Sequence, residues 1–183
     1  MSYEEMQRRN SEVIREDSKR QNMQTRNINK CDIGEGCDIR PFTDLYGCKI
    51  GKNCKIDSFT YIEDGVVIGD GCRIRTHVFI PSGVTIGSRV FIGSHVAFTN
   101  DRYPKIGAAT PEFEKTVVED DVAIGVGAII LPGIRIGKGS LIGAGTTVVR
   151  DVPPNSVIFT KADNIVKGRR SRDAELGDIK GRR

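Results

Sequence analysis

Residues 56–98 read IDSFTY IEDGVV IGDGCR IRTHVF IPSGVT IGSRVF IGSHVA F, and each block of six opens on isoleucine until the last opens on Phe98. The series is Ile56, Ile62, Ile68, Ile74, Ile80, Ile86, Ile92 and Phe98. It runs backwards through Ile50 and, after one step of five, through Leu45, Ile39 and Ile33. Forwards it resumes at Val118 and continues through Ile124, Ile130, Ile136, Ile142 and Val148. A period of six is neither the 3.6 of a helix nor the two of a single strand. Sustained self-similarity of this kind is the mark of a repeat architecture. Residues two apart in a strand share a face, so the residue two before each aliphatic should also point inward. Those positions hold Cys31, Cys37, Thr43, Cys48, Cys54, Thr60, Val66, Cys72, Val78, Val84, Val90, Val96, Thr116, Val122, Ala128, Ile134, Ser140 and Thr146. All are small or β-branched, as a narrow interior demands. Each hexad is therefore a short strand followed by a corner. The glycine that often follows the aliphatic (Gly34, Gly51, Gly69, Gly87, Gly93, Gly125, Gly137, Gly143) is expected to permit the bend. Three hexads close a coil of 18 residues, and the whole series makes about six coils.

Composition agrees with a thin aliphatic core and many tight corners: glycine occurs 21 times and tryptophan not at all. At 183 residues the chain is one domain, with 28 basic against 24 acidic side chains and a net charge of +4. That excess is too small and too mixed to make nucleic acid the main partner. No apolar run has transmembrane length, and the N-terminal MSYEEMQRRNSEV lacks the apolar core of a signal peptide. The expected location is cytoplasmic, with no membrane partner. All five cysteines fall on the inward small position and none forms a CxxC, so they are expected to be unpaired, buried thiols and not metal ligands.

The repeat spans residues 31–152. Residues 1–30 are polar and weakly periodic and are expected to form a helical cap or a flexible segment. Residues 153–183 form a C-terminal segment ending in a basic tail, GRRSRDAELGDIKGRR. One excursion interrupts the repeat over 99–117, opening with TNDRYPK; long loops in compact repeats are usually functional. The chain has two histidines, His77 three residues after Ile74 and His95 three after Ile92. Lying 18 residues apart, they should share one edge in adjacent coils, separated by about 4.8 Å. Asn100 and Asp101 open the loop one corner further on. Stacked imidazoles near a polar loop suit proton transfer and the binding of a polar substrate.

IRTHVFIPSGVTIGSRVFIGSHVAFTNDRYPK, followed by VEDDVAIGVGAIILPGIRIGKGSLIGAGTTVVRDVPPNSV, resembles the hexapeptide-repeat acyltransferases. Within them it is most similar to the N-acetyltransferases of nucleotide-linked amino sugars. The resemblance implies an all-β, left-handed parallel β-helix, an exception to the right-handed crossover rule. It implies a homotrimer that uses acetyl-CoA, without a metal, at sites between neighbouring prisms, with the loop reaching across a subunit boundary. A substrate amine would attack the thioester directly. By the same resemblance His77 is the catalytic residue, as base or positioner, and His95, Asn100, Asp101 and Tyr103 bind the amino sugar. Gly125, Gly127, Gly143, Gly145 and Ala144 would face the pantetheine arm of coenzyme A, with Arg150, Lys161 and Lys167 near its phosphates. One departure stands out: after the Pro153-Pro154 turn the chain reads Thr160-Lys161-Ala162-Asp163 where relatives carry Gly-x-Pro-Ala.

Three rival readings fit the repeat less well or equally. A carbonic anhydrase of this fold needs three histidine ligands, and the chain has two histidines. An O-acetyltransferase for a sugar or serine hydroxyl would use His77 or His95 to deprotonate the hydroxyl. A non-catalytic β-helix subunit would have a groove unable to hold coenzyme A.

Overall fold

A computed structural model describes Glu5, residues 26–106 and residues 113–160. Its strands are two or three residues long and every pairing among them is parallel. Each strand pairs with the third strand before or after it, save that the last pairs with the second before it, and three sheets of seven, six and seven strands wrap a triangular prism. The first face holds Asn27–Asn29, Asp44–Tyr46, Tyr61–Ile62, Phe79–Ile80, Ala97–Phe98, Ile129–Ile130 and Thr147–Val148. The second holds Asp32–Ile33, Lys49–Ile50, Val67–Ile68, Val84–Ile86, Thr116–Val118 and Arg135–Ile136. The third holds Asp38–Ile39, Lys55–Ile56, Arg73–Ile74, Phe91–Ile92, Ala123–Ile124, Leu141–Ile142 and Val157–Ile158. This is the β-helix expected. Its ladder runs one strand beyond the period at each end, because Asn27–Asn29 pairs with Asp44–Tyr46 and Val157–Ile158 with Leu141–Ile142. Most of the expected N-terminal cap, and the basic tail, lie outside the described residues.

The inward register is the one the period dictates. Every aliphatic of the series is buried except Ile33, which sits in the open N-terminal coil and is partly covered. Inward hydroxyls find partners, as burial requires: Thr60 Oγ1 donates to the Arg75 carbonyl at 3.0 Å and Ser140 Oγ to that of Pro153 at 2.9 Å. Cys48, Cys54 and Cys72 are buried free thiols, while Cys31 and Cys37 in the end coil are half-buried. The step of five is absorbed in a corner. Gly47 turns two residues after Leu45 instead of three, and the pairs Asp44↔Tyr61 and Lys49↔Val67 stay in register.

The glycines that follow the aliphatics do not make the corners; the turning residue, at positive φ, lies two places further on. Their role is close approach between coils. A Cβ added to Gly69 would lie 2.7 Å from the carbonyl carbon of Gly87, and one on Gly51 would lie 2.7 Å from that of Gly69. Turning positions hold glycine or asparagine at many coils, as the left-handed region favours, and among the described residues the aromatic side chains in this conformation all fall on one edge.

Candidate active site

The edge between the third and first faces carries, in successive coils, Phe42, Phe59, His77, His95, Gly127 and Gly145, all at positive φ. From Phe59 onwards each is stitched to the coil before it; the His95 amide donates to the Thr76 carbonyl at 3.1 Å and the Gly127 amide to that of Ser94 at 2.9 Å. The rings stack into a ladder, with centroids 5.5 Å apart for Phe42–Phe59, 4.9 Å for Phe59–His77 and 4.8 Å for His77–His95. The two imidazoles thus share an edge one coil apart, at the spacing of adjacent strands. Phenylalanine at positive φ is a strained choice, and stacking gives that strain an offsetting contact. Both faces of the His77 ring are covered, by Phe59 and by His95. Its Nδ1 lies 2.9 Å from Thr76 Oγ1, and that hydroxyl donates to the Ser58 carbonyl at 2.7 Å. Among the described residues the His95 ring has its stacking contact and no hydrogen bond.

Past His95 the ladder of side chains stops. A Cβ built on Gly127 or Gly145 would meet no heavy atom within 4 Å, so the edge there is bare and open. Gly125 and Gly143, two residues earlier in their coils, are close-approach glycines; a Cβ on Gly125 would lie 2.5 Å from the Ala144 amide nitrogen. The structure therefore gathers His77, His95, Gly125, Gly127, Gly143 and Ala144 along one edge.

The loop leaves from the opposite edge of the first face. Asn100 Nδ2 donates to the Ser82 carbonyl at 3.4 Å, and Asp101 Oδ1 accepts the Tyr103 amide at 2.8 Å. Tyr103 itself is 83% exposed. Within one chain the width of the first face, Ala97–Phe98 and its flanks, separates these residues from the histidines. Arg150 stands on the same far edge and lines a small open cavity of about 180 Å³ with Thr147, Val149, Val152 and Ile158. Lys161 and Lys167 lie outside the described residues.

Sequence reasoning did not single out the residues that anchor these groups. Arg102 clamps the base of the loop, with Nε and Nη2 on the Glu114 carboxylate at 2.8 and 2.9 Å and Nη2 on the Pro132 carbonyl at 2.6 Å. That pairing holds the Glu114 carboxyl below its usual range. Glu114 follows Arg102 by 12 residues within the excursion from the repeat, and no spacing announces the partnership. Thr76 did carry a signal, since Ser58, Thr76 and Ser94 form an 18-residue series immediately before Phe59, His77 and His95.

Surface character differs between two of the edges. Between the second and third faces, Arg89 pairs with Asp121 at 2.6 Å and Asp120 at 3.3 Å, and Lys138 approaches Asp121 at 3.8 Å. The Arg89 hydrogen bond holds the Asp121 carboxyl below its usual range; for Glu119 the Lys138 amide does so first, then Arg135. The histidine edge carries one ion pair, Arg75–Asp57 at 3.2 Å, and Arg73 stands outward beside it, while the other outward residues flanking the histidine coils are apolar: Tyr61, Phe79 and Ile129 on the first face, Phe91, Leu141 and Val157 on the third.

The family model described as bacterial transferase hexapeptide (six repeats) matches residues 47–82 and 115–150. Those two stretches fit the repeat that the model describes. Over 46 residues, a quarter of this chain and 22% of the relative, the repeat is 52% identical to a galactoside O-acetyltransferase of Lactococcus lactis. Over 57 residues, 31% of this chain and 24% of the relative, it is 46% identical to a 2,3,4,5-tetrahydropyridine-2,6-dicarboxylate N-acetyltransferase of Clostridium perfringens. These matches span less than a quarter of the length of either relative. The fold is shared with AntD, an N-acyltransferase from Bacillus cereus solved with dTDP-4-amino-4,6-dideoxyglucose and coenzyme A. The TM-score is 0.64 at 22% identity, covering 76% of this chain and 84% of AntD. It is also shared with PerB from Caulobacter crescentus, solved with coenzyme A and GDP-perosamine, at TM-score 0.54 and 21% identity, covering 70% and 55% of the two chains. The likeness to AntD and PerB is one of fold.

Proposed function

We propose that this chain is an acetyl-CoA-dependent N-acetyltransferase acting on the amino group of a nucleotide-linked amino sugar. The observation that carries the reading is the edge on which His77 and His95 stack and then give way to bare backbone at Gly127 and Gly145. A side-chain-free edge suits the thin pantetheine arm, with the backbone groups of Gly125, Gly127, Gly143 and Ala144 beside it. The thioester end would then meet the imidazoles. In the reaction the substrate amine attacks the thioester carbonyl, the C–S bond breaks, coenzyme A leaves as the thiol, and one ammonium proton must be removed. His77 is the residue placed to accept it or to orient the amine. The solved N-acyltransferases that share the fold were crystallised with coenzyme A and a nucleotide-linked amino sugar, which supports the substrate class.

Asn100, Asp101, Tyr103 and Arg150 complete this site only if they come from a second copy, because they stand on the other edge of the first face. A homotrimer brings the far edge of one prism against the histidine edge of the next. The apolar outward residues beside the histidines are the surface such packing would bury. The Arg89–Asp121 edge would stay in solvent.

A second reading has one observation in its favour, the likeness to a galactoside O-acetyltransferase; a hydroxyl acceptor would depend more heavily on an imidazole base than an amine does. The deciding test is a panel of nucleotide-linked amino sugars, the matching hydroxy sugars and galactosides, each with acetyl-CoA, followed by release of free thiol. Turnover of an amino sugar alone is expected. Turnover of the hydroxy sugars instead would replace the N-acetyltransferase reading, and no release with any acceptor would remove the enzyme.

A further inference from the structure

We infer that Thr76 sets the tautomer of His77, acting as a positioning residue through a short relay into the backbone of the preceding coil. The Thr76 hydroxyl has one proton. Its oxygen lies 2.7 Å from the Ser58 carbonyl, an atom that can only accept, so the proton is committed there. The contact of 2.9 Å between Thr76 Oγ1 and His77 Nδ1 must then run the other way, with Nδ1–H donating to the hydroxyl oxygen. Neutral His77 is thereby fixed with its proton on Nδ1 and a lone pair on Nε2. The ring cannot turn to exchange the two nitrogens cheaply, because Phe59 covers one face at 4.9 Å and His95 the other at 4.8 Å. Position and protonation are thus set by different groups: the ring stack holds the plane and the hydroxyl selects the nitrogen. His95 lacks the second device. Ser94 occupies the position equivalent to Thr76, yet the His95 ring makes no hydrogen bond among the described residues. The asymmetry distinguishes two histidines that the sequence makes look alike, and it makes His77 the one prepared to accept a proton at Nε2.

The tautomer rests on geometry alone; its catalytic consequence rests on the proposed acetyltransferase reading. The experiment measures both separately. Imidazole ¹⁵N shifts and couplings in the full chain, assigned with His95→Gln, should show neutral His77 protonated on Nδ1. Thr76→Ser keeps the hydroxyl and should keep this state. Thr76→Val removes it and should move the proton towards Nε2, with kcat falling roughly 10-fold or more while KM changes by less than about 2-fold. A wild-type His77 protonated on Nε2, or a tautomer indifferent to Thr76→Val, overturns the inference; should the valine variant not fold, the wild-type spectrum and Thr76→Ser decide it. A tautomer that moves while kcat does not supports the relay and instead removes His77 from proton transfer.

Discussion

At the residue scale, two kinds of glycine do different work, and they respond differently to the same substitution. Gly69 faces the backbone of the next coil; a methyl there would lie 2.7 Å from both the Gly87 carbonyl carbon and the Ser88 nitrogen. Gly69→Ala should therefore destabilise by about 1–3 kcal/mol, the range for overpacking, read as a lower urea midpoint. Gly127 faces open space and holds φ +68, so Gly127→Ala should cost only about 1 kcal/mol of backbone strain. That methyl would nevertheless stand on the bare edge beside His95, and KM for acetyl-CoA should rise while the fold survives. Unchanged KM would place coenzyme A elsewhere. His77 admits an equally direct test. His77→Asn should lower kcat by roughly 10²–10⁴-fold if the imidazole accepts the amine proton, and should raise KM with kcat intact if it only orients the sugar. Asp101→Asn should mainly weaken acceptor binding, since a carboxylate binds hydroxyls or an ammonium more strongly than an amide does.

At the scale of the coil, stability is graded from end to middle. A coil buries its inward residues against neighbours on both sides, and the first coil lacks one neighbour. Cys31 and Cys37 lie there half-buried, whereas Cys48, Cys54 and Cys72 are buried. Burial, and secondarily the thiol of Cys31 at 3.4 Å, push the Cys48 thiol up to about 12. Because a reagent must reach the sulfur and buried cysteines are inert, a native protein treated with a thiol reagent should lose the two half-buried thiols early and the three buried ones slowly. Denaturant should expose all five. Early loss of Cys54 or Cys72 would mean that the stacking register is wrong. The loop has its own anchor, the Arg102 clamp on Glu114 and the Pro132 carbonyl. Arg102→Ala should loosen it, raising acceptor KM more than it lowers the unfolding midpoint, since the pair is solvent-exposed and surface ion pairs contribute little to stability.

At the scale of the whole molecule, one edge of the prism gathers Arg89, Asp120, Asp121 and Lys138, and another stacks aromatic rings and then bare glycines beside a single Arg75–Asp57 pair. Their difference argues for an assembly in which only the second is covered. Sedimentation should give about three times the chain mass of 20.1 kDa; an active monomer would confine the site to a single chain and exclude Asn100 and Asp101 from it. The charged edge carries a pH signature. Asp121 and Glu119 have carboxyls held below their usual range, so their contribution is present above the ordinary carboxylate pKa and is lost as pH falls through the lowered values. Asp121→Asn should therefore lower the urea midpoint at neutral pH, slightly because the group is exposed, and leave it unchanged in strong acid. An effect that persists in acid would trace to packing and not to charge.

The amino-acid sequence by itself determined the period, the inward residues from Ile39 to Val148, the shared edge of His77 and His95 and the place of the loop. It could do so because a coil of constant length converts spacing along the chain directly into position in space. The same regularity explains where prediction went astray. The period locates each glycine without saying why it is there, and only the stacked backbones showed that Gly51 and Gly69 permit close approach while the bend falls two residues later. Only the tertiary structure decided which groups touch across the coils. The Thr76 hydroxyl between Ser58 and His77 depends on hydrogen-bond direction, and the 18-residue series that contains Thr76 gives its place but not that direction. The Arg102 clamp on Glu114 joins two residues outside the repeat and leaves no periodic trace. The separation of Asn100 from His95 by a whole face follows from strand order, which the hexads imply once three of them are seen to close a coil.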